Sequence, residues 1–364
     1  NPEYAATLRR IAGDGIEAFY TGEIAAAIAK AAQEEPLGGT LSVEDIASYE
    51  VIERPVICGR FRVQKICTTS PPSSGVAQIM IAGIYDHLVT GATTQQDKVA
   101  AFVDAQRLAY ADRDHYIGDP RSVSIPIDDL LHPDYIRHRA GERFAPAETP
   151  RHGDPGKVLR DQPVAHILGP DKTREAPGTT HLSIIDGYGN AVAMTATVEF
   201  YFGSGRWAHG FLLNNEMTDF AREPSADGKP VANAIVPGKR PRSSMSPTMV
   251  FDQDDEIVLV TGSPGGNSIP AYVSKSIVAV LDWGMSAQEA VDFPNIVARG
   301  DKVRVEVAAD PGPAFASDLK DRGYTVEERE GENSGLHVIV VRPDRLDGAA
   351  DKRREGIVRT MKVR

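Results

Sequence analysis

Cysteine is nearly absent: Cys58 and Cys67 are the two in 364 residues. No Cys/His cluster has ligand spacing, so a zinc-type metal centre is not expected. The two cysteines flank a turn read at Gly59-Arg60, but asymmetrically, so they are expected not to face each other and to remain buried free thiols. No apolar run approaches the ~20 residues of a membrane-spanning helix. Basic charge is not in excess: 40 Lys and Arg stand against 51 Asp and Glu, a net charge of −11. That balance disfavours nucleic acid as the main partner. No internal repeat is visible. The G-x-S-x-G elbow of serine hydrolases is missing, and Gly203-Ser204-Gly205 does not match it. The chain opens Asn1-Pro2 with neither methionine nor signal peptide, so an upstream segment is expected to have been removed or to lie outside this sequence.

What remains is the composition of a globular protein, 41% apolar and 25% charged, long enough for one large domain or two ordinary ones. Helical patterns run over 3–11, 23–33, 78–88, 95–116, 133–143, 269–283 and 314–322. Ser42 with Asp45 and Ser286 with Glu289 read as capping boxes. The charged face Arg107, Asp112, Arg113, Asp114 reads as solvated surface. Strands are expected at 51–58, 61–68, 182–185, 191–198, 248–251, 257–261, 303–307, 325–328 and 337–341. Polar, Pro-containing sequence from Arg151 to Gly178 reads as a linker with little packed structure. Helices layered on antiparallel sheets, an α+β fold, follow from this order.

The centre of the chain is Thr179 to Phe220. A Thr-Thr-His cluster enters a strand, Asp186-Gly187-Tyr188-Gly189-Asn190 turns, and a second strand carries Thr197. Each piece has a bland reading. Thr-Thr-His can be a strand edge, Gly265-Gly266 a turn opening a helix, Ser243-Ser244 a loop hydrogen-bonding pair and Asp219 a cap. His181 reads as structural, because no acid is placed to orient it. The pieces gain meaning together. A hydroxyl nucleophile needs a base, and no Ser-His-Asp set is in place. A threonine can use its own α-amine if the chain is cut before it, and the linker ending at Gly178 offers the place.

At this point the sequence resembles the γ-glutamyltranspeptidases of the N-terminal-nucleophile hydrolase superfamily. The motifs are TTHLSIIDGYGNAVAMTAT, FGSG, FLLNNEMTDF, PGKRPRSSMSPT and TGSPGG, with FYTGEIA, GGTLSVEDIASYEV, PPSSG and AYADRDHYIGDP upstream. The resemblance implies a four-layer αββα sandwich of two antiparallel sheets between helical layers. It implies self-cleavage at Gly178-Thr179, giving 1–178 as the end of a large subunit and 179–364 as the small catalytic subunit of one integrated fold. Thr179 would be the nucleophile and Thr197 would orient it. The Gly265 and Gly266 amides would form the oxyanion hole. Asp219, with Glu199 and Glu216, would bind the substrate's α-ammonium, and Ser243 and Ser244 its α-carboxylate. Glu199 stands where well-known members have Asn, and the loop 221–238 is shorter than in members with a lid. The family's carboxylate-binding Arg would lie upstream of Asn1. No cofactor is implied. The substrate would be glutathione or another γ-glutamyl amide, with water, an amino acid or a peptide as acceptor, and export to the periplasm or outside is expected. A cephalosporin acylase-like or poly-γ-glutamate-processing amidase is the first alternative. An unprocessed, inactive homologue that only binds is the second.

Overall fold

Local signals set the helices. Ser42, Thr94 and Ser286 each accept from the amide three residues on, and the acid at that position returns the bond to the cap residue's own amide. The computed structural model describes residues 1–171, 173 and 178–361. It divides into two compact units, one of residues 1–54 and 197–216, the other of 55–196 and 217–364.

In the smaller unit the helices Pro2–Asp14, Glu17–Tyr20, Gly22–Gln33 and Val43–Ala47 precede a short ribbon, Trp207–Ala208 with Phe211–Leu212. Ile24, Ala25, Ile28 and Ala29 form the buried stripe of the third helix, and Ala208 and Phe211 pack on it. Arg206 fastens the returning segment by donating to the Ala31, Pro36 and Leu37 carbonyls.

The larger unit is built on a six-stranded antiparallel sheet. Its spatial order is Ile57–Phe61, Gln64–Thr68, Thr248–Phe251, Ile257–Gly262, His337–Arg342, Arg345–Ala350. One face packs under the helices Gly75–Leu88, Gln95–Tyr116 and Ile269–Leu281, whose buried side chains form one core with Phe61, Ile66, Val250, Leu259, Val338 and Val340. The hairpin Thr179–Ile185 with Ala191–Thr197 meets the sheet. Ile257–Gly262 and His337–Arg342 already have two neighbours each, so the hairpin lies on their face. The His181 ring fills the space over Gly262, where a Cβ would come within 2.2 Å of it. Alternation along the hairpin turns Leu182, Ile184, Val192 and Met194 the other way, where they are exposed. This is the α+β, sheet-on-sheet arrangement expected. A three-stranded sheet, Ile296–Arg299, Lys302–Glu306, Thr325–Arg329, adds one parallel pairing, between its last two strands.

Three expectations are corrected. Cys58 and Cys67 are directly opposed across the first hairpin and form a disulfide. The turn lies at Arg62-Val63, not Gly59-Arg60, which makes the spacing symmetric, and Cys58 is exposed. The face of Arg107, Asp112 and Arg113 is at most 2% exposed rather than solvated. Asp112 is held by Arg139, the Tyr135 hydroxyl and the Gly153 amide. Finally, the stretch before Gly178 contains a helix, Pro155–Arg160, capped by Asp154, which also accepts from the Val164 and Ala165 amides.

Candidate active site

Thr179 opens its strand and is 6% exposed. Two residues on, His181 points to the sheet. Its Nδ1 lies 2.8 Å from Thr195 Oγ1 and its Nε2 3.1 Å from Ser183 Oγ. Burial, and then the neighbouring His337, push its pKa down to about 3. It is therefore a neutral ring between hydroxyls, the structural role expected of it, with no acid among these partners. A cavity of about 340 Å³ opens beside Thr179, lined also by Pro264, Gly335, His337 and Arg354. Arg354 Nη1 donates to the Thr179 carbonyl at 2.9 Å and Nη2 to that of Asn333 at 2.9 Å.

Pro264 leads into Gly265 and Gly266, which turn the end of the strand Ile257–Gly262 into the helix Ile269–Leu281. Gly265 has φ 138° and Gly266 φ 54°. A Cβ on Gly265 would stand 2.5 Å from the Tyr272 ring, so the sequence needs glycine here on both counts. Among the described residues neither amide has a hydrogen-bond acceptor, which leaves two N–H groups for an anion. The Ser263 hydroxyl fixes the turn by donating to the Pro264 carbonyl and accepting from the Gly335 amide. Gly265 also lines a larger cavity of about 690 Å³, in which Arg304, Glu332 and Tyr272 bind one another; Thr179 does not line it.

Ser243 and Ser244 lie on an extended run in which Arg242, Ser244, Ser246, Thr248 and Val250 are buried in alternation. The two serines therefore face opposite ways. Ser244 Oγ accepts from Arg113 Nη2 at 2.5 Å; Ser243 Oγ, half-buried, accepts from the Met245 amide. The Ser243 backbone is clamped to the PPSSG turn: its amide donates to the Pro72 carbonyl, and its carbonyl accepts from Ser74 Oγ.

Asp219 is 4% exposed. Asn233, fully buried, donates to its carbonyl at 2.7 Å and accepts from the Arg242 amide at 2.8 Å. One amide side chain thus holds the Asp219 loop against the strand that carries Ser243 and Ser244. Beneath it, Arg242 pairs with Asp171 at 2.9 Å, and Asp114 pairs with Arg113 and Arg299. Burial pushes the Asp114 carboxyl up, but the guanidiniums of Arg299, Arg113 and Arg242 hold it below its ordinary pKa.

Thr197, Glu199 and Glu216 belong to the smaller unit. Thr197 Oγ1 accepts from the Glu199 amide at 2.8 Å. That bond stabilises Glu199 in the left-handed region, φ 72°, with its side chain 4% exposed. The Asn215 amide donates to the Val198 carbonyl and Asn215 Oδ1 accepts from the Phe200 amide, while Asn214 Oδ1 accepts from the Glu216 amide. The paired asparagines of FLLNNE therefore set both acids.

Sequence reading missed three residues here. Arg354 sits in a Lys-Arg-Arg run that looks like solvated surface, Asn233 in a loop read as irregular, and Arg113 in a face read as exposed. Asn233 had one local hint, a polar residue between the apolar Val231-Ala232 and Ala234-Ile235.

Comparison with known proteins bears on the family and the fold. The family model described as Gamma-glutamyltranspeptidase matches residues 1–361. The glutathione hydrolase proenzyme of Bacillus subtilis (strain 168) is 35% identical over 301 residues, 81% of this chain and 50% of that protein. The glutathione hydrolase proenzyme of Escherichia coli (strain K12) is 35% identical over 367 residues, 96% of this chain and 59% of that protein. The crystal structure of a cephalosporin acylase from Bacillus halodurans superposes with a TM-score of 0.82 at 25% identity, covering 100% of this chain and 63% of that one. The chain thus spans between 50% and 59% of the length of these two curated relatives. With a family match across nearly its whole length, the chain belongs to the gamma-glutamyltranspeptidase family.

Proposed function

We propose that the protein transfers or hydrolyses γ-glutamyl groups through an ester on Thr179, after its own chain is cut between Gly178 and Thr179. The observation that carries this reading is the cavity Thr179 shares with Pro264, the residue before the two unengaged amides of Gly265 and Gly266. In the reaction, the free α-amine of Thr179 takes the Oγ proton as Oγ attacks the γ-carbonyl carbon. The oxyanion is met by the Gly265 and Gly266 amides, one such donor typically contributing ~2.7–4 kcal/mol. The ammonium then protonates the leaving amine as the C–N bond breaks. Water, or the amine of an amino acid or peptide, attacks the ester by the reverse path. Thr197 orients Thr179. Asp219, Glu199 and Glu216 receive the substrate's ammonium; Ser243 receives its carboxylate, while Ser244, expected to share that role, is turned onto Arg113 and holds the strand.

Cleavage would not separate the parts. Two strands of the six-stranded sheet precede residue 178 and four follow it, and the main core draws on both sides. Among the described residues no helix is long and apolar enough to cross a membrane. The Cys58–Cys67 disulfide suits an oxidising compartment, which supports export to the periplasm or outside. The acylase fold likeness supports a second reading, in which the same nucleophile acts on another acyl amide.

The test is chromophore release from a γ-glutamyl anilide by the full-length gene product and its Thr179→Ala variant. Release by the wild type alone supports the reading. A wild type cut at Thr179 that releases nothing overturns the γ-glutamyl specificity and promotes the acylase reading.

A further inference from the structure

The Arg354 guanidinium bridges the carbonyls of Thr179 and Asn333, each at 2.9 Å, in the wall of the Thr179 cavity. It reaches them because residue 335 is glycine: a Cβ there would lie 2.7 Å from the Pro264 ring and 3.0 Å from Arg354 Cδ. Among the described residues no carboxylate pairs with it. Asp351 is bound by Arg353 and Ser334, Glu332 by Arg304 and Tyr272, and Glu355 is exposed. Among the described residues, the half-buried charge beside Thr179 therefore has no ion-pair partner.

We propose that Arg354 is a positioning residue that keeps the Thr179 α-amine in its unprotonated, base form at neutral pH. This rests on the reading that Thr179 becomes an N-terminus. The amine and carbonyl oxygen of one residue lie within about 3.6 Å, so the guanidinium stands roughly 6 Å from the amine. A like charge at that distance disfavours the ammonium, by about one pKa unit in a partly solvated setting. An ordinary α-amine titrates near ~7.7–8.0 and is mostly protonated at neutral pH, unable to accept the Oγ proton. Two carboxylates, Asp351 and Glu355, line the same cavity and act against Arg354, but each is offset. On the nucleophile's strand His181 is neutral, with a pKa near 3, and on the sheet burial holds the His337 pKa low as well. The turn 263–266 carries no charge. On the tail, Asp351 is ion-paired with Arg353, and Glu355, although it lines the cavity, is exposed, so that solvent screens it.

The test is the pH dependence of kcat/KM for γ-glutamyl anilide release in wild type, Arg354→Gln and Arg354→Lys, each counted by the fraction of chains that begin at Thr179. Arg354→Gln should move the acid limb up by about one pH unit, costing about tenfold near pH 6 and much less at pH 9. Arg354→Lys should keep the limb near the wild-type position. An unmoved limb in Arg354→Gln overturns the proposal. So does an equal loss in both variants at every pH, or an Arg354→Gln chain that stays uncut. A cut wild type with no γ-glutamyl release refutes the substrate instead, and the limb is then read with whichever acyl amide the cut enzyme turns over.

Discussion

Ser244 Oγ accepts a 2.5 Å hydrogen bond from Nη2 of Arg113, 131 residues earlier in the chain. The same guanidinium donates through Nε to Ser74 Oγ at 2.8 Å, and Ser74 in turn holds the Ser243 carbonyl. One buried arginine therefore ties the PPSSG turn, the helix Gln95–Tyr116 and the serine-bearing strand together. Arg113→Met should lower stability by about 2–3 kcal/mol, as expected for losing buried charge-assisted bonds. Urea unfolding, read by fluorescence, measures it. An unchanged midpoint would remove Arg113 from this role.

The same arginine shows where sequence reading stops. The helix Gln95–Tyr116 is legible because its cap Thr94, its capping acid Asp97 and its length are local. The burial of its charges is not. Arg113 meets Ser244, Asp112 meets Arg139 27 residues on, and Arg107 meets the Ala145 carbonyl 38 residues on. Without those partners a charged face resembles a solvated one. The cysteine pair was misread for a different reason: the turn uses Arg62, a non-glycine residue at φ 54°, so Gly59, three residues earlier, misplaced the register. The SPGG turn was legible because its backbone demands glycine, and TTH through the family resemblance to which it belongs. Arg354 and Asn233 act through tertiary contacts alone and carry no such mark.

The Asp112–Arg139 pair gives a larger stability effect. Both side chains are fully buried, and Asp112 accepts from Tyr135 Oη at 2.8 Å and the Gly153 amide at 2.7 Å. Breaking a buried pair strands the remaining charge, at about 3–5 kcal/mol. Asp112→Leu should lower the urea midpoint accordingly, well beyond the effect of removing the exposed pair Lys157–Asp161.

Gly265→Ala should act on the reaction more than on the fold. The added Cβ would meet the Tyr272 ring at 2.5 Å, and φ 138° is unfavourable for alanine. The turn must shift, and with it the two amides. Loss of one oxyanion donor typically lowers kcat by about 10²–10³. Steady-state kinetics should show that fall in kcat with little change in KM. A variant with wild-type kcat would remove the turn from the oxyanion role.

The Cys58–Cys67 disulfide closes a loop with a sequence separation of 9. A loop that short is worth about 2–3 kcal/mol in the chain-entropy account. Thiol titration of the denatured, unreduced protein should find no free thiol, and two after reduction. The double Cys58→Ser, Cys67→Ser variant should unfold at lower urea concentration. Two titratable thiols in oxidised protein would reject the pairing.

His181 predicts the sign of one acid-side effect. Its folded pKa is near 3, against about 6.5 for a free imidazole, so the unfolded chain binds the proton more readily. Between those values stability must fall as pH falls, by at most about 1.4 kcal/mol per pH unit from this ring. Above about pH 6.5 both states hold it neutral, and it contributes no slope. His115, pushed down to about 4 chiefly by burial, adds a slope of the same sign over a narrower window. His181→Asn removes a titrating ring but keeps a polar group facing Thr195. Unfolding free energies measured from pH 4 to pH 7 should therefore be less steep in the variant by up to one proton. Equal slopes in the two proteins would mean that His181 is protonated in the fold, and would leave an imidazolium on Gly262 with no acid to meet it.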